Sequence, residues 1–166
     1  GFLAARLLDA DRAADAFSLF AEDLWRGLPG FRGEASLRTW MYVVARRAAA
    51  RVVRERARSG REVPLSQASV VDRMADELRG ATTRLRRTDA KDRLHALRAE
   101  LGEEDRELLV LRVDRGLSWD EIADALEVSG ADAAERKRQT ALLRKRFERL
   151  KERIRALAAR DGLLPP

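Results

Sequence analysis

Arginine is the residue with most chemistry to offer in this chain, and it is gathered into two blocks. From Arg38 to Arg61 eight arginines (38, 46, 47, 51, 54, 56, 58, 61) stand against one acid, Glu55, a net +7. From Arg136 to Arg155 ten basic residues stand against Glu148 and Glu152, a net +8. The whole chain is +6, so everything outside the two blocks carries −9. A guanidinium is a rigid, permanently charged fork that fits phosphate oxygens and base edges. Two such blocks far apart in sequence favour a polyanion held at two places over two merely solvated helix faces. In the first block Arg38, Thr39, Trp40, Tyr42, Arg46 and Arg47 mix flat rings with cations, which suits splayed single-stranded bases. Trp40 is expected to be partly core and Tyr42 the more exposed ring. In the second block Arg136, Lys137, Arg138, Gln139, Thr140, Arg144, Lys145 and Arg149 offer phosphate neutralisers at the edges and polar groups for bases in a major groove.

Other chemistries are poorly supplied. The chain has no cysteine and one histidine, His95, which removes disulfides, zinc fingers, thiol nucleophiles and imidazole pairs. His95 reads as a surface or interface residue, and Glu103-Glu104-Asp105 as the first turn of a helix, complementing its dipole. A carboxylate-only metal site would be the sole enzymatic route left. The expectation is a protein without catalytic centre, metal or cofactor.

The elements that must carry the two blocks are helices. At 166 residues, 45% hydrophobic, 37% charged and 5% aromatic, the composition fits helices with solvated faces better than sandwiches or barrels. Phe2 to Leu28 reads as helix, with a possible break at Asp9 to Asp11, and Leu28 to Gly33 as turn chemistry. A helix capped by Ser36 runs to about Arg58. Its apolar stripe is Leu37, Met41, Val44, Ala48 and Val52, with Thr39, Tyr42 and Arg46 on the opposite side. Ser59 to Gly80 loses the basic bias and reads as linker. Short helices follow, over Leu94 to Leu101 and over Leu108 to Leu111, the latter ending near Gly116. Ser118 and Glu121 form a capping box and Leu117 and Ile122 a hydrophobic staple, so a helix starts at Ser118. With Ala123, Val128 and a basic helix after it, this is the first helix of a helix-turn-helix, the bland alternative being an antiparallel hairpin. The final helix buries Leu143, Phe147, Leu150, Ile154 and Leu157 and turns Arg138, Lys145 and Arg149 away. A short coiled-coil seam or a basic membrane-surface helix ranks below DNA for it. The fold expected is all-α: two small helical domains, 1–58 and 88–166, joined by a linker at 59–87, the second domain a helix-turn-helix. No apolar run approaches the roughly 20 residues needed to span a bilayer, and no signal peptide is evident, so a cytoplasmic protein is expected.

Leu28-Pro29-Gly30-Phe31-Arg32-Gly33-Glu34-Ala35-Ser36-Leu37-Arg38-Thr39-Trp40-Met41 resembles the promoter-melting region 2 of bacterial extracytoplasmic-function (ECF) sigma factors. Leu108-Leu109-Val110-Leu111-Arg112 and Gly116-Leu117-Ser118-Trp119-Asp120-Glu121-Ile122-Ala123 are similar to region 4 of the same family. The resemblance covers nearly the whole chain. It implies that the first domain binds the clamp helices of core RNA polymerase and opens the minus-ten element through Phe31 to Arg47. It also implies that the second domain reads the minus-thirty-five element of promoter DNA, and that an anti-sigma protein is a partner. The clamp-facing residues it implies are Asp15, Ser18, Leu19, Glu22 and Trp25. Three departures stand out. Only the tail of the family's opening helix is present, in Phe2 to Leu8, and Gly1 suggests a trimmed start. Ser18 and Leu19 replace the expected Gln and Glu. About ten residues look inserted around Gly130 to Thr140, as either a longer turn or an extension of the reading helix. The competing expectations are a stand-alone helix-turn-helix regulator and a divergent sigma-like module acting through an anti-sigma partner.

Overall fold

The computed structural model describes residues 1–58, 93, 95–128 and 132–162, and every regular element among them is helical. The expected linker at 59–87 and Ser129 to Ala131 lie outside the described residues, as does Leu94. Helix α1 spans Phe2–Leu7, α2 Ala10–Gly27, α3 Leu37–Arg58, α4 Glu103–Leu109, α5 Trp119–Ala125 and α6 Ala133–Arg160. A 3-10 turn, Leu28–Gly30, follows α2, a helical turn at 95–99 precedes α4, and α4 runs into a π-helical turn at Val110–Asp114.

Local chemistry sets the boundaries. Leu8 leaves α1 in the left-handed conformation (φ 55°), and the Asp9 carboxylate then accepts the Arg12 N–H at 2.8 Å to start α2. The Ser36 hydroxyl accepts the Thr39 N–H at 3.0 Å, which starts α3 where its sequence placed it. At Ser118 the box is closed in both directions: its hydroxyl accepts the Glu121 N–H at 3.2 Å, and the Glu121 carboxylate accepts the Ser118 N–H at 2.7 Å. A cap of this kind contributes about 1 kcal/mol. The staple residues Leu117 and Ile122 are both fully buried. Asp132 caps α6 through the Glu135 N–H at 2.7 Å, so of the stretch 130–140 the residues from Ala133 onward are helix.

One hydrophobic cluster takes residues from both sequence halves: Phe2, Leu3, Ala16, Ala45, Ala49 and Val52 join Leu108, Val110, Leu111, Leu117, Ile122, Leu143, Phe147 and Leu150. Helix α2 packs along α3, α3 also meets α5, and α1 meets α4. Leu108, Leu111, Leu117 and Ile122 are essentially inaccessible, each contributing about 1.5–3 kcal/mol by burial. Alanines at 16, 48 and 49 let α2 and α3 approach closely. Gly27 serves the same purpose, since a Cβ there would sit 3.0 Å from the Trp40 ring.

The α3 stripe is corrected in detail. Leu37, expected inward, is exposed, whereas Thr39, expected outward, is 1% exposed and shares a hydrogen bond of 2.8 Å with Ser36. The physical reason is that α3 has neighbours on two sides. It therefore buries a wide arc that runs from Val44 through Ala48 and Val52 to Ala45 and Ala49.

Candidate nucleic-acid interface

The two basic blocks meet different fates, and acids supplied by distant helices decide which. On α3, Arg46 and Arg47 are spent on the far half of the chain. Arg47 grips the Glu127 carboxylate through two nitrogens, with Nε at 3.2 Å from Oε1 and 3.3 Å from Oε2. Arg46 Nη1 donates to the same carboxylate at 3.3 Å, and its Nε lies 3.4 Å from Glu107 Oε1. Arg38 donates to the backbone carbonyl of Arg115. Tyr42, expected to be open for stacking, is half-buried edge-on against Phe2 with ring centroids 5.2 Å apart. Trp40 packs on Phe31, centroids also 5.2 Å apart, which agrees with a partly core ring.

Glu107 is buried, 3% exposed, between two cations. Arg6 Nε lies 3.2 Å from its Oε1, and Arg6 itself is 4% exposed, with Nη2 donating to Glu103 at 2.6 Å. Burial raises the Glu107 carboxyl above its ordinary range, against the opposing pull of Arg6 and Arg46. The Glu127 carboxyl is held below its ordinary range, chiefly by the hydrogen bond from Arg47. Arg6, Glu107 and Glu127 have no counterpart among the residues singled out from the sequence. The only prior signal was an arginine inside the apolar run Phe2 to Leu8.

The α6 block is more open. Lys137, Arg138, Arg144, Lys145 and Arg149 are all exposed. Of these, Lys137, Arg144, Lys145 and Arg149 have no carboxylate partner among the described residues, while Arg138 pairs with Glu135 at 3.1 Å. Gln139 also bonds Glu135. Two expected base-facing residues are engaged within the chain. Thr140 is buried, donating to the Arg136 carbonyl at 2.9 Å and lying 3.2 Å from Asp120, and Arg136 pairs with Asp124 at 3.2 Å. Both lie on the face of α6 that meets α5, each roughly 20° from Phe147 on a helical wheel, one on either side. Trp119 meets Phe147 edge-on at 5.5 Å and Arg112 lies over the Trp119 ring at 4.7 Å, completing the seat of α5 on α6.

On α2, Asp15, Ser18, Glu22 and Trp25 follow helical spacing on one exposed face, Trp25 being 79% exposed, while Leu19 is half-buried against the core. Asp15 holds Arg56 at 2.7 Å and Glu22 holds Arg26 at 3.3 Å. His95 is exposed. Among the described residues no group of acidic and histidine side chains could hold a metal, and no helix is long and apolar enough to cross a membrane. No protein-family model, curated protein or solved structure matches the chain. Fold and surfaces together define an all-helical protein with two cationic helices, α6 with a row of exposed unpaired cations and α3 with its Arg46 and Arg47 bound to carboxylates of the second half.

Proposed function

We propose that the chain is a sigma factor of the ECF type. It directs core RNA polymerase to promoters in the cytoplasm, melts the minus-ten element with the α3 surface and reads the minus-thirty-five element with α6. The observation that carries this reading is α6 itself. It is a long capped helix, seated from behind on α5 through Arg136, Thr140 and Phe147, with Lys137, Arg144, Lys145 and Arg149 free on its front. A helix fixed from behind with cations in front can be inserted into a groove while its flanks take phosphates. The exposed α2 face of Asp15, Ser18, Glu22 and Trp25 supports a polymerase contact. The test is a native gel of the chain, bacterial core polymerase and a random duplex library. A complex of all three that retains a defined subset of duplexes is expected. Selection by the chain without polymerase makes it a stand-alone regulator, and no selection in any mixture overturns both readings.

A further inference from the structure

We propose that Glu127 is a built-in competitor for nucleic acid: its carboxylate occupies the Arg46–Arg47 fork that a phosphate backbone would use, and the α3 surface binds only when that carboxylate is displaced. The inference rests on the reading of α3 as a nucleic-acid surface.

Three observations carry it. The first is chemical. A carboxylate bound by Nε and Nη2 of one arginine and Nη1 of a second occupies the donors a phosphate would take. The second is conformational. Glu127 sits at φ 57°, left-handed backbone that glycine or asparagine adopts at lower cost, immediately after α5. The chain accepts this strain at a residue whose side chain reaches across 80 positions of sequence to Arg47. The third is exposure, which separates two acids at one junction. The Glu107 carboxylate is sealed between Arg6 and Arg46, so it stays in place and is structural. The side chains of Glu127 and Arg47 are 35% and 66% exposed. Water and salt reach that pair, which keeps it weak, and a phosphate can approach Arg47 before the carboxylate leaves. Exchange then costs little: one anion replaces another on the same donors. Arg38 is held separately, by the backbone carbonyl of Arg115 ahead of α5.

The test uses the full chain and a fluorescent 20-mer of deoxythymidine at low salt. Glu127→Gln removes the charge, and Glu127→Gly removes the carboxylate while suiting the left-handed backbone, so loss of folding cannot explain a shared result. Both variants should bind about fivefold more tightly than the parent, the gain from freeing a partly exposed ion pair. Glu55→Gln, which removes the same charge from α3 and breaks only the exposed pair with Arg51, should leave affinity within about twofold. Since the chain has no cysteine, spin labels at introduced Ser18→Cys and Ala156→Cys, both exposed, report the separation of the halves. It should stay unchanged in the Glu127 variants, because the buried core shared by the halves is far stronger than this exposed pair, so that the gain in affinity is local to the arginine fork. Equal affinity for parent and Glu127 variants overturns the competitor role alone. No binding by the parent or by any variant overturns the reading of α3 as a nucleic-acid surface, and the competitor role with it.

Discussion

Two glutamates at one junction titrate with opposite signs, because burial dominates at one and a hydrogen-bonded cation at the other. Glu107 is raised, so in the pH range above its ordinary value of about 4.5 the folded chain holds a proton that the unfolded chain has lost. Its contribution to stability therefore falls as pH rises through that range. Glu127 is lowered, so its contribution is complete above its ordinary value and is lost as pH falls below it. Thermal melts of the parent and Glu107→Gln between pH 4 and 8 should show the parent losing ground to the variant as pH rises. A gap that widens in the parent's favour over that range would mean that Arg6 and Arg46 outweigh the burial. At the same scale Tyr42 changes meaning. Its ring, legible in the sequence as a stacking platform among arginines, is engaged by Phe2, a contact between residues 40 positions apart that no local spacing encodes.

Among the elements, α6 divides its cations by face, and the two faces should answer mutation differently. Replacing Arg144 and Lys145 together by Ala should weaken duplex binding and lower the salt slope by about two units, one per lost phosphate contact. Arg136→Ala removes a half-exposed pair with Asp124 and should leave that slope unchanged while costing less than about 1 kcal/mol of stability. The reverse assignment, with the slope moving on Arg136 alone, would turn the reading face of α6 round. Helix starts were legible because caps are local: Ser36, Ser118 with Glu121, and the staple of Leu117 and Ile122 each act within a few residues. The start of α6 is not legible in the same way, because Asp132 follows a stretch whose sequence fits turn and helix alike. The face of α3 departs from a single stripe at Leu37 and Thr39. A single stripe assumes one neighbour, and α3 has α2 on one side with α1 and α5 on another.

At the scale of the whole molecule, the charge map reads as a division of labour. The blocks of +7 and +8 were visible at once, and so was the −9 of the remainder, but not where those acids go. Folding sends Glu107 and Glu127 to α3, and Glu104 and Asp105 to Arg146 on the packed side of α6, where they lie 2.7 Å from it. The front of α6 keeps its charge. On the function proposed above, the unpaired front of α6 approaches duplex DNA first and the paired Arg46–Arg47 fork of α3 engages separated strands second. Run-off transcription tests this most directly, with purified core polymerase, a pool of bacterial genomic fragments, and the chain added or withheld. Transcripts with defined starts are expected only when the chain is present, and are expected to be lost with the Arg144→Ala, Lys145→Ala double variant. Transcripts that are the same with and without the chain would contradict it.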